Sequence, residues 1–318
     1  MDEYMKKTAF LFPGQGAQFV GMMKELAENE LHAAEAFQIA DRVTQKPITQ
    51  LCFYGPEEAL NLTENTQPCM LTAEYAALAV AKGLGLRADA YLGFSLGEWT
   101  ALTAAGVISF PEALKLVCLR ATAMQEAVPI GTGGMAVILG QSEQEVELLC
   151  AEVKGYVAPS NFNCPGQISV AGSIEGIEHL LSLAENRGIV AKRIAVSIPS
   201  HCCLMKPAAE KMERAIAEIE FRDPDAPIIM NCCAKAITGA SEIRENIISQ
   251  LTSPVRMEES INLLLDQGFE CFFELGPGNT LSRFVQKCAK TKGKKIEVYS
   301  SKDKKTFLES VRMIVEAG

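Results

Sequence analysis

Histidine and tryptophan are scarce, with three and one in 318 residues, and the net charge is −9. There is no Cys-x-x-Cys pair and no apolar run near the ~18 residues of a membrane helix. Without ligands at zinc spacing, no metal site is expected. Without a long apolar run, no membrane contact is expected. The acidic balance argues against a nucleic-acid binder. Lys6 and Lys7 precede only a short apolar stretch, Ala9–Phe12, below the roughly 7–15 residues of a signal-peptide core, so the chain reads as cytoplasmic. The eleven cysteines fit that reading: they are scattered, odd in number and adjacent at Cys202-Cys203 and Cys232-Cys233, and are expected to be reduced, mostly buried thiols.

With 48% hydrophobic and 22% charged residues, the chain is expected to be globular with a large core. Its charge is uneven. Nine basic residues and two acids fall between Arg283 and Lys305. Such a tract is either a solvated surface or a landing site for an acidic or phosphorylated partner.

Short strands alternate with helices, which predicts an α/β fold with a parallel sheet. A first strand, Thr8 to Phe12, runs into the loop Pro13-Gly14-Gln15-Gly16-Ala17-Gln18, whose glycine spacing is wrong for a phosphate loop. Residues 132–197 read as a separate unit. Strands are predicted at 135–139, 156–162, 167–171 and 189–196, with helices at 142–153 and 173–186, the first opened by a Ser142/Glu145 capping box. The order β-α-β-β-α-β is ferredoxin-like. It would be inserted into a discontinuous core, 1–131 and 198–318.

The pentapeptide Gly93-Phe94-Ser95-Leu96-Gly97 fits Gly-x-Ser-x-Gly, the nucleophile elbow. A short apolar stretch, 89–92, precedes it, and a helix-like segment stopped by Gly106 follows. Strand, turn and helix are the context in which such a serine is lifted clear of the fold. The plainer alternative is a glycine-rich turn that packs tightly. A serine needs a base. His32 lies in an acidic, exposed-looking helix and His179 inside the inserted unit. His201, in the loop Pro199-Ser200-His201-Cys202, is the candidate by elimination. A Cys–His pair with Cys202 or Cys203 is the lesser alternative. No acid after His201 stands out as a third member. Arg120 shares a helical face with Ala113, Val117 and Met124. On so apolar a face it is either a structural ion pair or a clamp for a substrate carboxylate.

These segments, in order, resemble the malonyl-CoA:acyl carrier protein transacylases and the related acyltransferase domains of polyketide synthases. The resemblance runs from about Thr8 to Ser282 and includes Phe12–Gln18, Gly93–Glu98, Arg120–Pro129, Asn161–Gln167, Pro199-Ser200-His201, Gln250–Arg256 and Glu274–Gly278. It implies an α/β-hydrolase-like core with the ferredoxin-like insertion. It implies Ser95 as the acylated nucleophile, His201 as base and the main-chain carbonyl of Gln250 as the anchor of the imidazole. The N–H groups of Gln15 and Leu96 would form the oxyanion hole. Arg120 would bind the malonyl carboxylate, with Met124, Phe94 and Asn163 as further substrate-binding positions. The implied substrates are malonyl-CoA and an acyl carrier protein, with no metal or redox cofactor. The carrier would dock on the basic tract, and the enzyme is expected to be a monomer. Phe94 departs from the family, which has histidine before the nucleophile; acyl selectivity and the choice between fatty acid and polyketide synthesis hang on it. An editing hydrolase or serine esterase acting on carrier-protein thioesters is the alternative reading.

Overall fold

The computed structural model describes residues 6–129, 131–194, 196, 198–302 and 304–317. A six-stranded sheet has the order β11-β10-β1-β2-β7-β8. Its strands are β1 (Thr8–Phe12), β2 (Ala90–Gly93), β7 (Ile228–Met230), β8 (Lys235–Ile237), β10 (Cys271–Glu274) and β11 (Glu297–Ser300). All neighbours are parallel except β7 and β8. Every residue of β1 and β2 is buried, as expected of central parallel strands covered on both faces. The two-residue period sorts their side chains. Phe10, Phe12 and Tyr91 join one core with the helices Thr63–Gly83, Gly97–Ala104 and Phe110–Ala127. Ala9, Leu11 and Leu92 join another with the helices Met257–Asp266 and Thr280–Thr291.

The second sheet has the order β6-β3-β5-β4-β9. Strands β3 (Gly133–Leu139), β4 (Val157–Cys164), β5 (Gln167–Ser173) and β6 (Val190–Ile194), with helices Glu143–Ala151 and Ile174–Asn186, reproduce the expected β-α-β-β-α-β order. The Ser142/Glu145 capping box is present. The last strand, expected over 189–196, is described to Ile194; Ala195 lies outside the described residues, as do Ile130 and Ser197 near the expected unit boundaries. The fifth strand, β9 (Val255–Arg256), comes from much later in the chain and pairs parallel with β4 through Asn161–Val255 and Phe162–Arg256. Two residues carry no readable alternation, so this edge pairing has no sequence signature.

None of the eleven cysteines is paired. Among the described residues no helix is long and apolar enough to cross a membrane.

Candidate active site

The elbow stands where β2 ends and the helix Gly97–Ala104 begins. Ser95 takes φ 53°, a left-handed conformation that strains a residue with a side chain. Three hydrogen bonds hold it. The Ser95 N–H donates to Asn231 Oδ1 at 2.7 Å, Asn231 Nδ2 donates to the Gly93 carbonyl at 2.6 Å, and Gln250 Nε2 donates to the Ser95 carbonyl at 2.8 Å. The motif's glycines are steric necessities. A Cβ on Gly93 would fall 2.1 Å from the Glu98 nitrogen, and one on Gly97 would fall 2.1 Å from the Phe12 carbonyl oxygen.

The Ser95 hydroxyl lies 2.7 Å from His201 Nε2. His201 Nδ1 lies 2.8 Å from the main-chain oxygen of Gln250. A carbonyl only accepts, so Nδ1 carries the proton and Nε2 is left as the acceptor facing Ser95. Burial, and then the charge of Arg120, push the imidazole down to about 4, against the pull of the Gln250 carbonyl. It is therefore neutral, and able to take a proton, throughout the physiological range. Cys202 Sγ is directed instead to the Pro199 carbonyl. His32 lies on the surface beside Glu35, while His179, on the helix Ile174–Asn186, accepts the Lys154 N–H. The acid limb of kcat/KM is accordingly expected near pH 4, the base being lost as pH falls through that value; a limb near 6.5 in a pH–rate profile would show a solvated histidine instead.

Arg120 is 1% exposed. Its Nη1 donates to Gln67 Oε1 at 2.8 Å, and its Nη2 to Gln250 Oε1 at 3.0 Å and to Ser95 Oγ at 3.3 Å. Its Nε has no hydrogen-bond partner among the described residues. Every direct partner is neutral, so a structural ion pair does not account for the residue. Burial lowers Arg120 to about 10, partly offset by Glu98, so the guanidinium stays charged at neutral pH. A buried cation without an adjoining anion costs several kcal/mol, and here it lies beside the Ser95 hydroxyl.

A cavity of about 290 Å³ opens between the two sheets, lined by Ser95, His201, Arg120 and Gln15. Met124, Phe94 and Asn163 also line it, so of the expected site residues only Gln250 stands outside it, buried behind His201, while the Leu96 backbone completes the wall. The N–H groups of Gln15 and Leu96 make no hydrogen bond to a described residue, whereas that of Ser95 is taken by Asn231. Phe94 meets Phe284 edge-on, with ring centroids 6.2 Å apart, at the cavity wall. A Cβ on Gly14 would strike that ring at 2.7 Å, so the glycine makes room for it. Asn163 Nδ2 donates to Ser169, and its buried Oδ1 is without a partner among the described residues.

One cavity thus brings together a serine in a strained turn, a neutral imidazole held by a carbonyl, two N–H groups with no described partner and a buried guanidinium. The acyl transferase domain family matches residues 9–317. The chain belongs to that family. A malonyl CoA-acyl carrier protein transacylase of Bacillus subtilis is 44% identical over 289 residues, which is 89% of this chain and 90% of that protein. One of Escherichia coli is 40% identical over 293 residues, 90% of this chain and 94% of that protein. A solved complex of a type II PKS acyl-carrier protein with its malonyl-transacylase matches with TM-score 0.92 and 37% identity over 96% of this chain and 99% of that one. The transacylase of Coxiella burnetii matches with TM-score 0.92 and 37% identity over 98% of both chains.

Three residues of this acyltransferase site are not among those expected from the sequence. Gln67 sits on a helix whose buried face also carries Thr63, Thr66, Thr72 and Glu74, an unusual polar run that is its one sequence signal. Asn231, in the turn after β7, has no motif around it. Glu98, the residue just after the elbow motif, is fully buried, although in sequence it reads as the polar start of a helix.

Proposed function

We propose that this acyltransferase moves a malonyl group from malonyl-CoA to the phosphopantetheine thiol of an acyl carrier protein, in fatty acid or polyketide synthesis. One observation carries the choice of acyl group: Arg120 is buried, charged, next to Ser95 Oγ and paired only with neutral groups. A planar guanidinium in that position suits a carboxylate on the acyl chain. It would give nothing to a simple esterase. The names of the relatives support the same assignment.

In this reading Ser95 Oγ attacks the thioester carbon while His201 Nε2 takes the hydroxyl proton. The Gln250 carbonyl keeps the imidazole in the right tautomer and faces the imidazolium that forms. The N–H groups of Gln15 and Leu96 receive the negative oxygen. The C–S bond breaks, and His201 returns the proton to the departing coenzyme A sulfur. The pantetheine thiol then repeats the steps in reverse, its proton passing through His201 to Ser95. The balance needs only the two substrates, and the unpaired thiols suit a reducing compartment such as the cytoplasm. Initial rates at several fixed carrier concentrations should give parallel double-reciprocal lines against malonyl-CoA. Intersecting lines would mean direct transfer without an acyl-enzyme.

The basic tract supports carrier docking only over part of its length. The helix Thr280–Thr291, about 18 Å long, meets the cavity through Phe284 in its first half. Arg283 and Lys287 are exposed near the cavity end, one turn apart. Lys292, at the far end, is held by Asp266 at 2.7 Å. Arg283→Glu with Lys287→Glu is expected to raise KM for the carrier protein about tenfold and to leave KM for malonyl-CoA unchanged. The same reversal at Lys294 and Lys295 should change neither. Equal effects from the two pairs in steady-state kinetics would remove the docking assignment.

A further inference from the structure

Glu98 and the Gln250 side chain have no part in the proton transfers, yet between them they hold Asn231, the main chain of Ser95 and the Arg120 guanidinium. Glu98 is 0% exposed. Its Oε1 accepts the Asn231 N–H and its Oε2 accepts Gln250 Nε2, each at 2.6 Å. Through Asn231 it reaches the N–H of Ser95 and the carbonyl of Gly93. Through Gln250 it reaches the Ser95 carbonyl and Arg120 Nη2.

The Gln250 amide is fully used. One N–H goes to Ser95, the other to Glu98, and the oxygen goes to Arg120. An amide can turn end for end, but a main-chain carbonyl only accepts and a guanidinium only donates. The Ser95 carbonyl and Arg120 therefore fix which end of the Gln250 amide faces which, and Glu98 Oε2 receives the second N–H and holds the amide in that orientation. With the amide reversed, two donors would face each other at Arg120. The same arrangement puts the nearest acid one amide away from Arg120 rather than in contact with it. A direct ion pair would occupy the fork that the acyl carboxylate needs.

We propose that Glu98 and the Gln250 side chain are a positioning pair that fixes the span between the Ser95 nucleophile and the Arg120 guanidinium, and so selects acyl chains by the distance from thioester carbon to carboxylate. One amide grips the main chain of the nucleophile and the head of the arginine at once, so the two move together. A three-carbon diacid half-ester fits a fixed span, and a four-carbon one is a methylene too long. The inference rests on the reading of Arg120 as the ligand of the acyl carboxylate.

The test is the rate of Ser95 acylation by malonyl-, succinyl- and acetyl-CoA, followed by intact mass in single-turnover mixtures. Glu98→Gln, nearly isosteric, should lower the malonyl-to-succinyl rate ratio about tenfold, within the coupling usual for networked residues, while acetyl rates move less. Gln250→Ala keeps the carbonyl that holds His201 and removes only the amide, so it should narrow the ratio by a similar factor; it decides the matter alone if Glu98→Gln fails to fold. The double variant should narrow it no further than one change does. A uniform fall for all three acyl groups, with the ratio unchanged, would make the pair a structural prop and overturn the proposal. Absence of any malonyl adduct on the unaltered protein would instead refute the assignment of function on which it rests.

Discussion

Ser95→Ala is expected to take up no acyl group, and turnover with malonyl-CoA and carrier protein should fall by at least about 10⁴-fold. The fold should survive: Ser95 Oγ sits in the cavity, while the bonds that hold the elbow use the Ser95 main chain and the side chains of Asn231 and Gln250. His201→Ala should cost a comparable factor, because the hydroxyl has no other base within reach. Its one other described hydrogen-bond partner is Arg120, which cannot accept a proton. The two losses should not multiply in the double variant, since each removes the same step. Rapid-quench measurement of acyl-enzyme formation separates this from a defect in substrate binding. A Ser95→Ala protein that still became acylated would move the nucleophile elsewhere.

Arg120→Ala should reverse the acyl preference. The malonyl rate is expected to drop roughly 10²–10³-fold, the usual loss when one member of a buried, hydrogen-bonded charge pair is removed. Acetyl transfer should persist or rise, because the cavity then presents only neutral groups to the acyl chain. Arg120→Lys should recover little. A lysine cannot reach Gln67, Gln250 and a carboxylate together with one ammonium, whereas the guanidinium fork already spans the two glutamines. Competition between malonyl- and acetyl-CoA, with the products weighed by mass spectrometry, reads the change directly. An unaltered preference would leave the buried charge without its proposed purpose.

Much of this arrangement is legible in the amino-acid sequence. Strand, elbow and helix follow from Gly93–Gly97 and its flanks, and the steric reason appears in the 2.1 Å approaches that any Cβ there would make. The β-α-β-β-α-β order follows from the alternation of strand-like and helical stretches and a capping box, all of them local. Arg120 is visible as a charge on an apolar face, though its two meanings separate only once its partners are seen to be neutral. What stays hidden is non-local. A main-chain carbonyl, such as that of Gln250 beneath His201, has no side-chain signature. Asn231 lies 136 residues from the Ser95 that it holds, and nothing in its neighbourhood marks it. The basic tract reads as one patch because sequence proximity hides pairing: only Phe284 of this stretch lines the cavity, and Lys292 is taken by Asp266.

The central claim is that a malonyl group rests on Ser95 between two carriers. It is tested most directly by weighing the intact protein after incubation with malonyl-CoA alone and again after adding holo carrier protein. The expected first result is a single malonyl adduct that maps to the peptide containing Ser95. The expected second result is loss of that adduct with stoichiometric gain of malonyl on the carrier. Release of free malonate in the first incubation, with nothing passed to the carrier in the second, would contradict the account and make this site a hydrolase.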